Sequence, residues 1–526
     1  MAFNSLLWLE TSTYQELDEQ VIGDLGLHGF YKKLTDLSQV NLSVINRLCT
    51  DMDTITYRQA IIRDLMAEPA LTNYLVENLE AFCTLVYQFT KTTYEADNFY
   101  FLVELVKIVE KSIQCLEDLR GTLRGYNFTS VGLKKLYESV EASINEPNFK
   151  EMKVDLKAIR YAFSQIKSAE ISINMDLGMR PVEAQVTNLF DHRCIYPKAF
   201  RKVAMVIQDN GTFLGKHINQ YIPVFSVKNL DLDLKEELEF GLKAYHGVLK
   251  TFLNKYKKID PLPFVTLFEE VTFYQSSVTL LQQMAKAHLP MSLPTLLPSR
   301  DRCFDVKGVY NINLAERISH DNIVLNQFKM DDDGRIFILT GANSGGKTTF
   351  TQAIGQVQLL AQLGLMVPAT WARISLVNGI YTHFPVLEAD TIDLGRLGKE
   401  CLNFSVLFKK ADRYSLILLN ESFTSTSHLE SLTIAGEVIK AAKTKEVRLI
   451  YNTHLHELVD QVIGFNEAIV NETPIVSITS GSQNDTNSYT IEVGPPQGIS
   501  HAMKIAENFG ITYKQLSKRL EAVNDV

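Results

Sequence analysis

No run in this chain approaches the roughly eighteen uninterrupted apolar residues that a membrane-crossing helix needs, and the opening MAFNSLLWLE lacks the basic flank of a secretory signal. The expectation is a cytoplasmic protein. Cysteine pairs are missing as well: Cys49, Cys83, Cys115, Cys194, Cys303 and Cys401 are scattered, with no C-x-x-C, so neither a zinc ribbon nor a disulfide framework is suggested. Basic excess is absent, since 52 Lys and Arg face 61 Asp and Glu for a net charge of -9. Any contact with nucleic acid must therefore come from a local basic surface. Internal repeats and low-complexity tracts are also lacking, which sets aside solenoids and disordered scaffolds.

What is present is a folded chain of 526 residues, 46% apolar and 21% charged. At about 100 to 200 residues per domain it should divide into two to four. From 35 to 284 long segments carry apolar residues at helical spacing, as in the stripe Phe99, Leu102, Leu105, Val106 and Val109. Within them, 171–226 alternates polar with apolar residues and carries proline and glycine, predicting strands and loops inserted into a helical arm. Prolines between Leu289 and Pro298 then mark a boundary. Beyond it, apolar runs of strand length at 335–340, 415–419 and 447–451 alternate with amphipathic segments, predicting an α/β domain with a mostly parallel sheet. The division reads as an N-terminal segment 1–34, a long-helix domain 35–298 and an α/β domain 299–526.

Directly after the first of those runs stands Gly341-Ala342-Asn343-Ser344-Gly345-Gly346-Lys347-Thr348, a complete G-x-x-x-x-G-K-[ST] followed by Thr349 and a helix-patterned segment. Glycines let the backbone wrap phosphate oxygens, helix-start N–H groups point at them, Lys347 neutralises charge and Thr348 offers its hydroxyl to Mg²⁺. The pattern predicts ATP and Mg²⁺ as ligands. The second run ends in Asn420-Glu421, placing Glu421 as general base and Asn420 beside the metal. The third ends in Asn452-Thr453-His454, bringing His454 to the same sheet edge as a γ-phosphate sensor.

Together these residues resemble the ATPase domain of the MutS family over 335–515. The resemblance rests on Asn343 with the paired Gly345-Gly346, on Val367-Pro368-Ala369 after the helix, on Thr453-His454-Leu455-His456-Glu457-Leu458, and on 500–511 ending in Gly510-Ile511. It implies a multidomain α and α/β protein in which a long-helix core and lever domain with a clamp-like insertion precedes a P-loop NTPase domain. A homodimeric, DNA-associated ATPase of repair or recombination is implied, nucleoid-associated if bacterial. Because the helical half begins so early, the family's mismatch-reading and connector domains are not expected here, and the triplet Phe268-Glu269-Glu270 is expected inside a helix rather than in a mismatch wedge.

Two further departures bear on activity. Asn420 stands where the family has a Walker B aspartate, which predicts weak hydrolysis because a charge near the metal is lost. The loop that in family dimers reaches across to the partner's nucleotide falls at 395–400 without its serine, leaving the backbone amides of Gly395 and Gly398, or Arg396, as substitutes. Arg193, Lys198, Arg201, Lys202 and Lys216, interleaved with Tyr196, Phe200 and Phe213, form the candidate DNA surface. The competing function is a nucleotide-gated scaffold for protein or RNA with little hydrolysis. An ABC transport motor is disfavoured, since the Leu-Ser-Gly-Gly-Gln signature and any membrane span are missing.

Overall fold

The computed structural model describes residues 3–27, 46–91, 99–178, 181–193, 201–207, 213–219, 242–256, 264–342, 345–385, 395–483 and 486–494, with Thr512 and Gln515. The chain forms two compact units: Met1–Val76, Tyr126–Leu136 and Val265–Val526 make one, and Glu77–Gly125 with Tyr137–Phe264 the other. No helix among the described residues is long and apolar enough to cross a membrane.

The first unit is organised on a six-stranded sheet of β1 (Ile336–Thr340), β2 (Ile380–His383), β3 (Leu416–Asn420), β4 (Arg448–Asn452), β5 (Ile475–Gln483) and β6 (Thr486–Val493), in the order β2-β3-β4-β1-β5-β6. All neighbours are parallel except β6, which returns antiparallel on β5. Every residue of β1, β3 and β4 is buried. That explains their unbroken apolar runs, because a parallel sheet covered on both faces has no polar side to show. Helices α1 (Lys347–Gln362), α2 (Arg396–Lys410) and α3 (His428–Lys445) follow β1, β2 and β3 in the chain, and α3 opens with a capping box between Ser427 and Glu430. A four-stranded sheet of Thr295–Leu297, Trp371–Ser375, Phe304–Val309 and Asn326–Met330 completes the α/β part.

Helix α1 is buried nearly all round, and its glutamines bond backbone that no ladder satisfies. Gln352 donates to Asp24 O at 2.8 Å, Gln356 to Leu25 O at 2.9 Å, and Gln362 to Cys49 O at 2.7 Å. The first two bonds tie the N-terminal segment, and the third ties Cys49 beyond it, to the helix of the phosphate loop. That segment is anchored a second time by the buried Glu270, whose carboxylate accepts from Leu6 N at 2.7 Å and from Ser5 Oγ. Arg58 donates to Leu7 O at 2.7 Å with its guanidinium 4.1 Å above the Trp8 ring. Glu270 of the Phe-x-Glu triplet is thus an internal anchor.

The second unit contains the helices Phe99–Leu123, Pro147–Ser164 and Lys243–Tyr256, Pro147 sitting where a helix start tolerates proline. Its strands are two antiparallel ribbons, Ser168–Met175 with Pro181–Phe190 and Arg201–Ile207 with Phe213–Asn219. The strands expected within 171–226 correspond to these ribbons, the first beginning at Ser168.

Candidate nucleotide site

Parallel register brings three strand ends level: Asn452 lies opposite Asn420 on β3 and opposite Leu339 on β1. Thr340 leads from β1 into Gly341, whose φ is 125°, and Gly346, at 82°, caps α1. L side chains rarely adopt such angles. Space forbids a side chain too: a Cβ on Gly341 would collide with Ser480 Oγ, and one on Gly345 would approach the same atom to 2.6 Å. The buried hydroxyls of Thr340 and Ser480 have no hydrogen-bond partner. A cradle of this kind, short of acceptors and closed to side chains, fits phosphate oxygens.

Lys347 is buried and donates to Gly341 O and Ala342 O, both at 3.0 Å. Burial lowers its pKa, and the Glu421 carboxylate opposes the shift. Thr348 Oγ1 donates to Asn420 Oδ1 at 2.8 Å, and Asn452 Nδ2 donates to the same oxygen at 2.5 Å. Mg²⁺ arriving on nucleotide phosphates needs only one or two protein oxygens. Thr348 and Asn420 fit that requirement, although both are neutral, and no cluster of His, Cys, Asp or Glu among the described residues would hold a metal by itself.

Glu421 has a left-handed backbone, φ 48°, and Phe423 another at 64°. The strained turn is pinned on several sides. Glu421 N donates to Asn452 O at 2.8 Å, Tyr451 Oη to Ser422 O at 2.9 Å, and Ser431 Oγ to Phe423 O at 2.7 Å. Such strain is held where the surroundings over-determine it. It presents the Glu421 carboxylate to His454, whose Nε2 lies 2.7 Å from Oε1. That hydrogen bond holds the Glu421 carboxyl below its ordinary pKa against the effect of burial, with Lys347 adding to it. It is thereby in the protonation state a general base needs, although a lowered pKa makes it a weaker base, which accords with slow rather than fast proton transfer.

A cavity of about 720 Å³ joins these parts, within the range of small-ligand sites. Gly345, Gly346, Lys347, Thr348, Glu421 and His454 contribute its polar lining, while Tyr310, Leu314, Ile318, Ile323 and Val324 supply apolar surface. Thr349 also lines it. Asn343 and Ser344 lie outside the described residues. Gly395 caps α2, and Arg396 pairs with Glu400 at 3.5 Å; neither lines the cavity. Of the basic candidates, Arg193 is exposed, Lys198 lies outside the described residues, and Arg201, Lys202 and Lys216 fall on the second ribbon.

Sequence reasoning missed two cavity and site residues. Tyr489, with φ 58°, lines the cavity, and a Cβ on Gly346 would touch its ring at 3.3 Å. Asn452 gave a signal that went unused, being a polar residue ending an apolar run one strand away from Asn420.

Comparison with known proteins finds two family models on the chain. Residues 337–523 match the model of MutS domain V, and residues 50–287 match that of the MutS2 N-terminal domain. The DNA mismatch repair protein MutS of Caldanaerobacter subterraneus subsp. tengcongensis is 24% identical over 341 residues, covering 62% of this chain and 38% of that protein. Those of Methanothrix thermoacetophila and Desulfovibrio desulfuricans are 30% and 33% identical over 206 and 163 residues, or 37% and 29% of this chain and 24% and 17% of theirs. The chain thus matches well under half the length of these relatives. With one family model on the helical arm and a second on the sheet that carries the phosphate cradle, the chain belongs to the MutS family.

Proposed function

We propose that this protein is a slow Mg²⁺-dependent ATPase whose nucleotide state governs a DNA-associated homodimer. The observation that carries the reading is the convergence of Lys347, Thr348 and the Glu421–His454 pair on one cavity. Lys347 exchanges its two loop carbonyls for the terminal phosphate oxygens. Glu421, held anionic by His454, removes a proton from the water that attacks the terminal phosphoryl group, releasing ADP and phosphate. Bound Mg²⁺ would neutralise phosphate charge, and Thr348 and Asn420 are the residues that would hold it. Because Asn420 brings no charge, turnover is slow, and the same neutrality favours the second reading, a nucleotide-gated scaffold.

The calorimetric test is Lys347→Ala, which should lose about 2 to 5 kcal/mol of ATP affinity, the usual result of removing one partner of a buried charged contact. Unchanged affinity would remove the basis of the site. The dimer would be completed by Gly395 and Arg396 of a second copy, a helix start being suited to phosphate. Sedimentation should then show a dimer with ATP and dissociation with ADP; a monomer under both conditions excludes the composite site. DNA binding through Arg193, Lys198, Arg201, Lys202 and Lys216 should weaken steeply as salt rises. Binding indifferent to their replacement by alanine would move the DNA contact elsewhere.

A further inference from the structure

The two protein oxygens offered to Mg²⁺ are already engaged by a third side chain. Asn420 Oδ1 has two lone pairs, and two donors sit on them, Thr348 Oγ1 at 2.8 Å and Asn452 Nδ2 at 2.5 Å. Asn452 Nδ2 also lies 3.3 Å from Thr348 Oγ1, engaging that hydroxyl as an acceptor. Mg²⁺, or a water bound to it that can only donate, therefore reaches the amide oxygen of Asn420 only by displacing one of these two donors. A carboxylate at 420 would not meet this limit, because its two oxygens carry about four acceptor sites.

The arrangement is fixed by the sheet rather than by a loop: Asn420 and Asn452 are register partners on β3 and β4, and Asn452 is 0% exposed. Its own Oδ1 is buried without a partner. Asn452 is therefore not placed to satisfy itself, since its amide hydrogens serve Asn420 and Thr348 while its oxygen goes unmet.

We infer that Asn452 is a positioning residue that closes the metal subsite: its amide competes with metal-bound water for Asn420 and Thr348, making nucleotide binding weakly dependent on Mg²⁺. The inference rests on the nucleotide reading above. It predicts an unusual sign, in which removing a polar residue from the site improves metal engagement.

The test follows a fluorescent ADP analogue binding to the full chain, from chelated metal to excess Mg²⁺. In the unaltered protein its affinity should rise only toward the high-Mg²⁺ end of the range. Asn452→Ala should lower the half-saturating Mg²⁺ roughly tenfold, the scale on which partners of metal ligands tune affinity. Asn452→Ser, too short to reach Asn420, should do the same. Asn420→Asp should also tighten Mg²⁺ binding, and adding Asn452→Ala to it should then change nothing. Affinity for the metal-free analogue, unchanged in both Asn452 variants, separates this effect from misfolding. Weaker or unaltered Mg²⁺ dependence in both Asn452 variants would overturn the inference alone. Failure of the unaltered chain to bind the analogue would overturn the nucleotide reading and this inference with it.

Discussion

The two units are held by different chemistry. Around the sheet, buried polar groups answer buried backbone: Gln356 donates to Leu25 O while its Oε1 accepts from Ile312 N at 3.0 Å, and the fully buried Arg448 donates to Leu376 O at 3.1 Å. In the helical unit the polar links are partly exposed ion pairs between helices, Lys153 with Glu117, Arg160 with Glu110, and Lys255 with Asp155 at 2.7 Å. Buried hydrogen bonds permit one geometry, because a displaced group is left unsatisfied in a low dielectric. Exposed ion pairs contribute little and re-form after displacement. A reaction site belongs on the first kind of scaffold, and a surface that adapts to a partner belongs on the second.

The sharpest break in this contrast is Glu421→Gln, which should leave ATP binding and fold intact while turnover falls about 10² to 10⁴-fold. Steady-state phosphate release beside the unaltered protein checks it, and equal rates would deny Glu421 its role. Next comes Leu418→Ala on β3, where a 0% exposed side chain meets the fixed core. It should cost about 2 to 5 kcal/mol in denaturant unfolding, whereas Val154→Ala on an exposed helical face should stay within about 0.5 kcal/mol. Similar losses at both sites would erase the distinction.

Glu270 supplies a pH test. Burial raises its carboxyl from 4.5 to about 7, while the Ser5 and Leu6 bonds and Arg58 pull the other way. The folded chain therefore holds a proton that the unfolded chain releases. The stabilisation is complete below about pH 4.5 and is lost as pH rises through about 7, with a slope of up to about 1.4 kcal/mol per pH unit. Urea midpoints between pH 5 and 7.5 should show this fall, and Glu270→Gln should flatten it; an equal slope in the variant would place the titration elsewhere. A small effect is also expected of Lys153→Ala in the helical unit, at most about 1 kcal/mol and vanishing at high salt. A larger, salt-independent loss would show that this unit too relies on fixed polar contacts.

Much of the site was legible in sequence because its elements are local. The phosphate loop needs glycine at fixed offsets, and a strand buried on both faces announces itself as an apolar run. Even the strand ends were nearly right, the runs expected at 335–340, 415–419 and 447–451 appearing as Ile336–Thr340, Leu416–Asn420 and Arg448–Asn452. The one-residue shift has a cause. Apolar patterning stops at Leu419 and Tyr451, whereas the ladder continues through Asn420 opposite Asn452. Helix α1 likewise begins at Lys347, ahead of the expected Thr349, because Gly346 supplies the left-handed cap that apolar spacing does not report.

The sequence by itself determined the P-loop, the sheet that carries it, the general-base candidate and the family, since each depends on residues close together in the chain. Tertiary structure alone decided what those residues meet. It joined the N-terminal segment to α1 through Gln352 and Gln356, and Cys49 to it through Gln362, turned Glu270 into an anchor, set His454 on Glu421 and laid Asn452 across Asn420 and Thr348. The physical reason is that hydrogen-bond partners are chosen by register and burial between segments up to hundreds of residues apart, and a glutamine or asparagine looks the same in a sequence whether it faces water or closes a site.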